Sequence, residues 1–141
     1  MTILLDADMV PSYAKLGTNA RTHGNWRLQA SHTRQAKADW YAAFACKVQM
    51  YQDRRDQHFP WERVRISILI TWPDRRRRDY DNAWAALKPM IDVLCAPSGI
   101  RDHSPRLGVI QADHWPVLVS ATLTFRYQKD TMNTVVSINR A

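Results

Sequence analysis

Cysteine, glycine and long apolar runs are all scarce in this chain of 141 residues, and each shortage closes off a class of protein. Two cysteines, Cys46 and Cys95, are too few for a disulfide scaffold. Both fall in patterns that read as helical, in a chain without a secretory signal, so free buried thiols are expected. Glycine occurs four times, and nowhere as a glycine-rich loop that would cradle a nucleotide's phosphates. No apolar run approaches the ~18 residues needed to span a bilayer. Met1 to Val10 carries Asp6 and Asp8 where a signal peptide carries lysine or arginine. A soluble, cytoplasmic protein with no membrane partner is expected. Internal repeats and low-complexity tracts are also missing, and the length suits one domain with a single core. Acid, finally, is absent from an entire segment: no Asp or Glu stands between Asp8 and Asp39.

What the chain has is positive charge. Twenty Lys and Arg against 13 Asp and Glu leave a formal net charge of +7 and a pI near 9.8, a balance that favours nucleic acid or an anionic membrane as partner. The acid-free segment holds Lys15, Arg21, Arg27, Arg34 and Lys37, with His23 and His32 able to add charge and Tyr13 and Trp26 offering flat faces. Cations interleaved with aromatics suit a phosphate backbone whose bases lie within stacking reach. Pro11, Gly17, Asn19, Gly24 and Asn25 interrupt any regular pattern, so residues 9–31 read as an irregular basic arm. An ordinary solvated loop with Trp26 folded onto the core is the plain alternative.

Hydropathy periodicity supplies the frame. Thr2 to Leu5 suits a short strand, and from Ser31 or Thr33 to about Gln52 the apolar positions Ala36, Trp40, Ala43, Phe44 and Val48 recur at helical steps. Arg63 to Trp72 alternates, with Val64, Ile66, Ile68 and Ile70 on one face. A helix over about Asp81 to Leu94 carries the stripe Trp84, Leu87, Ile91 and Leu94, with a kink expected at Pro89. Leu107 to Ala112 and Val117 to Tyr127 read as strands, and Gln128 to Ala141 as a C-terminal tail or short edge strand. The sum is an α+β fold: a small mixed sheet with helices packed on it, in a single domain covering residues 1–141.

Arg75 to Asp81 reads Arg-Arg-Arg-Arg-Asp-Tyr-Asp, four cations beside two carboxylates spaced i, i+2. Extended backbone through Asp79, Tyr80 and Asp81 would send both acids to one side, where they can hold a hard divalent cation through oxygen. The neighbouring arginines would fork onto phosphate oxygens. Farther along, Asp81, Lys88 and Asp92 line up on one helical face. The plainer readings are a solvated arginine surface, a helix cap at Asp81 and an i, i+4 ion pair between Lys88 and Asp92.

The succession of a strand, Pro73 to Asn82 as Pro-Asp-Arg-Arg-Arg-Arg-Asp-Tyr-Asp-Asn, a helix bearing Lys88 and Asp92, a glycine turn and Asp102 resembles the RusA-type Holliday junction resolvases of bacteria and their phages. The likeness covers roughly residues 9 to 125, more loosely at Pro11-Ser12, Arg21, His23 and Trp26. It implies a homodimeric α+β endodeoxyribonuclease that binds four-way junction DNA and cuts paired strands with Mg²⁺, in recombination and repair, with Mn²⁺ the expected substitute if His103 replaces a carboxylate. Asp79, Asp81, Lys88 and Asp102 would be catalytic, and Asp79, Asp81, Asp102 and His103 would hold metal. Arg75, Arg76, Arg77, Arg78 and Asn82 would contact DNA, as would Lys15, Arg21, His23, Trp26 and Arg27 in the arm. Two positions depart from the family pattern. The family's lysine stands four residues after the second acid, where this chain has Ala85, and Lys88 is seven residues on. The family's paired acids after the turn are here Asp102 and His103. Imidazole in place of a carboxylate weakens magnesium and favours softer ions, so a catalytically weak junction-binding module is the alternative.

Overall fold

The computed structural model describes residues 1–17, 25–54, 58–99 and 101–141. Arg21 and His23, expected on the basic arm, lie outside the described residues.

The core is organised around β2 (Val64–Trp72), where Val64, Ile66, Ile68 and Ile70 are buried while Arg65 and Ser67 face water. This is the half-buried pattern of a sheet with one covered face. β1 (Thr2–Ala7), β3 (Leu118–Tyr127) and β4 (Asn133–Arg140) complete a mixed sheet of order β1-β4-β2-β3. β4 runs antiparallel to both neighbours, and β3 is parallel to β2. A parallel neighbour requires a crossover, and α3 (Tyr80–Leu94) lies within that connection. The long helix α2 (Trp26–Gln52) precedes β2 and packs on α3 and β1. Between them they bury Trp40, Phe44, Val48, Leu87, Met90, Ile91 and Leu94 against Ile3, Leu5, Ile66, Ile68, Val136 and Ile138 of the sheet. The short α1 (Tyr13–Leu16) sits against α2 and α3. The fold class is therefore the α+β single domain expected, and no helix among the described residues is long and apolar enough to cross a membrane.

Four local expectations are corrected. The C-terminal segment is neither tail nor edge: β4 lies between β1 and β2, with Val136 and Ile138 fully buried and the Thr134 hydroxyl donating to the Met9 carbonyl at 2.7 Å. Leu107 to Ala112 is not a strand, because its amides serve the end of α3. Leu107 donates to Val93, and Val109 and Ile110 both donate to Leu94, which satisfies carbonyls that a helix C-terminus leaves open. The arm contains α1, and α2 begins at Trp26 rather than Ser31 or Thr33, since the Asn25 side chain caps it by accepting the Leu28 amide at 3.1 Å. Cys46 is free but exposed on α2, whereas Cys95 is free and buried. Along α2 the buried residues Trp40, Phe44 and Val48 all lie in its second half.

Candidate nucleic-acid interface

β2 carries the chain to Trp72, and α3 begins at Tyr80, so residues 73–79 form the loop that holds the arginine run. Asp79 does not prolong the strand. It is the N-cap of α3, with extended φ and ψ of −97° and 129°, and its Oδ1 accepts the Asp81 amide at 2.9 Å. Asp81 lies in the first helical turn, where a carboxylate favours the helix dipole. The expectation of two acids projecting from one strand face is thus overturned by the capping preference of aspartate. Both residues remain exposed at the loop's end.

The four arginines divide into two kinds. Arg78 is a brace: its guanidinium stacks 4.0 Å from the Trp72 ring centroid, pairs with Asp74 at 2.9 Å and donates to the carbonyls of Asp74 and Arg76. Only 14% of that side chain is exposed, which removes it from the expected DNA-contacting set. Asp74 also accepts the Arg76 amide at 2.9 Å, and these bonds, from Arg78 first, hold its carboxyl below the usual range. Arg76 is 83% exposed on its side chain, with only a long 3.6 Å approach to Asp74, and Arg77 is exposed beside it. Arg75 lies 4.6 Å over the Tyr127 ring. A shallow groove of about 240 Å³ follows, bounded by Arg75, Arg76, Arg126 and Tyr127.

Arg126 and Tyr127 escaped the sequence reading. They close an ordinary alternating strand, and only the parallel register, which sets Trp72 opposite Tyr127, brings them to the arginine loop. Tyr13 belongs here too. Its ring meets Trp72 edge-on at 5.5 Å, and burial pushes its hydroxyl, which has no hydrogen-bond partner among the described residues, up to about 12. Gly17 lets α1 close on α3: a Cβ there would stand 2.8 Å from the Tyr13 carbonyl and 3.0 Å from Asn82 Oδ1. Asn82 is therefore placed against the end of α1, and Lys15 is exposed on the same short helix.

The remaining expected residues gather elsewhere. Lys88 Nζ pairs with Asp92 at 2.7 Å and with Asp113, and Asp92 also receives Lys37 at 3.1 Å. Partial burial opposes the Lys88 charge, but the bonds from Asp113 and Asp92 outweigh it and its pKa lies above the ordinary lysine value. For Asp92, burial is likewise outweighed by Lys88 and Lys37, and its carboxyl lies below the usual range. Asp102 is 8% exposed on its side chain and accepts the Ser98 amide, the Ser98 hydroxyl, the Ser104 amide and Arg106 Nε, all at 3.0 to 3.1 Å. The Ser98 and Ser104 amides foremost hold it far below the ordinary carboxylate range. Arg106 also donates to the Asp92 carbonyl, which ties Asp102 to the C-terminal end of α3.

Asp81 and Asp92 are eleven residues apart on one helix, about 16 Å of rise. Asp79 and Asp81 thus stand at one end of α3, and Asp102 and His103 at the other. Among the described residues no three His, Cys, Asp or Glu side chains gather to hold a metal ion. The predicted ligand set of Asp79, Asp81, Asp102 and His103 does not form one site, because the α3 helix separates its halves. Lys88 shares a face with Asp81 but sits about 10.5 Å along the axis and is engaged by Asp92 and Asp113. Trp26 and Arg27 open α2, with the Arg27 guanidinium 5.4 Å over the Trp26 ring. No family model matches this chain, and no curated protein does.

Proposed function

We propose that this protein binds branched DNA of the four-way-junction class in the manner of a RusA-like protein, gripping phosphates with the loop between β2 and α3. The observation that carries this reading is the division of the arginine run: Arg78 is spent on holding the loop in shape, leaving Arg76 and Arg77 exposed beside Arg75 and Arg126. A braced loop presenting guanidiniums loses little conformational freedom when it meets phosphate oxygens. Arginine bonds of this kind supply affinity and orientation without sequence readout. Junction selectivity is assigned to a homodimer, in which two such loops face two symmetric arms; that component rests on the family resemblance alone.

A second reading, structure-selective endonuclease, is favoured by the adjacency of Asp79 and Asp81 to these arginines at one exposed loop end. Asp102, His103 and Lys88 have no part in it. One experiment addresses both readings: gel shift and cleavage of the same synthetic junction, with Mg²⁺ and with Mn²⁺, by the wild type and by Asp79→Asn. Salt-sensitive binding by both proteins supports the first reading, and a wild type that binds neither junction nor duplex refutes it. Cutting by the wild type that Asp79→Asn abolishes establishes the second, and cutting that persists in the variant removes Asp79 from it.

A further inference from the structure

A groove of about 750 Å³ lies away from the arginine loop. One wall is the first half of α2, with Trp26, Thr33 and Arg34, and the other is the loop after α3, with Arg101, His103 and Pro105. The Lys37–Asp92 ion pair anchors this groove to the C-terminal end of α3. The arginine loop enters the N-terminal end, and fifteen helical residues between them span about 22 Å. These are two separate surfaces.

The chemistry of the groove is uneven in an informative way. Its acid is already satisfied, since Asp102 is enclosed by two serines and Arg106. Lys37 is likewise committed to Asp92. Arg34 and Arg101 are exposed and make no ion pair with the described residues. Trp26 leaves 72% of its surface in water, although an indole is a large apolar side chain usually buried on average. An exposed indole that carries Arg27 5.4 Å over its ring and stands near two uncommitted guanidiniums matches a base flanked by phosphates, because every base offers a π-face and the backbone offers charge. Paired bases present only their edges in the grooves of a duplex, so the base that reaches this indole is an unpaired one. The groove's size falls in the range of ligand clefts.

We infer that this groove holds an unpaired nucleotide of a DNA strand, with its base stacked on Trp26 and its flanking phosphates on Arg34 and Arg101. The inference rests on the nucleic-acid reading above and deepens it: the arginine loop grips paired arms, and the groove takes strand where pairing is broken.

Fluorescence anisotropy with a labelled oligothymidylate and with a labelled duplex tests it, on the wild type, Trp26→Ala, Trp26→Phe and the Arg76→Ala/Arg77→Ala double variant. Trp26→Ala is expected to weaken single-strand binding by about tenfold while duplex affinity holds, and Trp26→Phe retains most of the affinity because a smaller ring still stacks. The arginine double variant weakens the duplex. Single-strand affinity unchanged by Trp26→Ala, or a wild type that binds duplex and not single strand, overturns the groove and leaves the arginine loop standing. So does a Trp26→Ala variant that loses both substrates equally. A wild type that binds neither nucleic acid overturns both readings.

Discussion

The two ends of α3 carry similar inventories of charge put to opposite use. At the C-terminal end most charges are spent on one another, Lys37 and Lys88 on Asp92, Lys88 on Asp113, and Arg106 on Asp102, and only Arg34 and Arg101 of the neighbouring groove are left over among the described residues. At the N-terminal end the close ion pair is Arg78 with Asp74, which Arg76 approaches at 3.6 Å, while Arg76, Arg77, Asp79 and Asp81 remain exposed. The C-terminal network satisfies loop amides and helix carbonyls and holds residues 98–99 and 101–110 against the helix. It is an element of the fold. Charge density alone does not locate a ligand site; what distinguishes one is charge that the protein's own hydrogen bonds leave over.

The largest expected effect breaks the N-terminal side. Replacing Arg76 and Arg77 with alanine should weaken junction binding on the order of tenfold and lower the slope of log affinity against log salt by about 1.8, near 0.9 for each phosphate that is no longer neutralised. Thermal stability should not change, since neither side chain is buried. A salt titration by anisotropy checks both binding statements, and an unchanged slope would make the run a solvated surface. Next comes the brace. Arg78→Ala removes the Trp72 stack and the Asp74 pair, so it should cost about 1–2 kcal/mol in denaturant unfolding and reduce DNA affinity less than the double variant does.

For the Asp92 and Asp102 network at the C-terminal side the expected effect is on stability and not on binding of the paired junction. Asp102, Asp92 and Asp74 all have folded-state carboxyls held below the ordinary value near 3.8. Such groups contribute stability that is fully present above that ordinary value and is lost as pH falls through the depressed ones. Thermal melts should therefore hold from pH 7 down to about pH 4 and decline below it. Asp102→Asn should melt lower at pH 7, decline less steeply in acid and bind the junction as the wild type does. Loss of junction binding in a variant that remains folded would mean that Asp102 reaches the nucleic acid after all. The smallest expected effect is that of His103→Asp: with Asp79 and Asp81 at the far end of α3, adding a carboxylate beside Asp102 should leave any Mg²⁺-dependent cleavage unchanged. An increase would bring the two ends into one site.

Much of the frame was legible in the sequence, and the misses have definite causes. β2 and α3 announce themselves because each faces the core on one side and water on the other, so the alternation at Val64 to Ile70 and the stripe Leu87, Ile91, Leu94 are clean. β4 was hidden because Asn133, Ser137 and Asn139 dilute its apolar positions, although it occupies the middle of the sheet. At the site, the run Arg75 to Asp81 was visible at once, but whether Asp79 extends a strand or caps a helix depends on a competition that spacing does not decide. The contributions of Tyr13, Arg126 and Tyr127 needed tertiary register. The separation of Asp102 from Asp81 needed the hydrogen bonds of Arg106, which no local pattern encodes.

Amide hydrogen exchange on the protein alone and bound to a fully paired four-way junction puts the contrast between the two ends to its most direct test. Protection should rise across residues 74–82, where the arginine loop meets α3, and stay unchanged across residues 107–110, whose amides already serve the end of the helix. Protection confined to residues 107–110, with none across 74–82, would contradict the assignment of the nucleic-acid surface to the arginine loop.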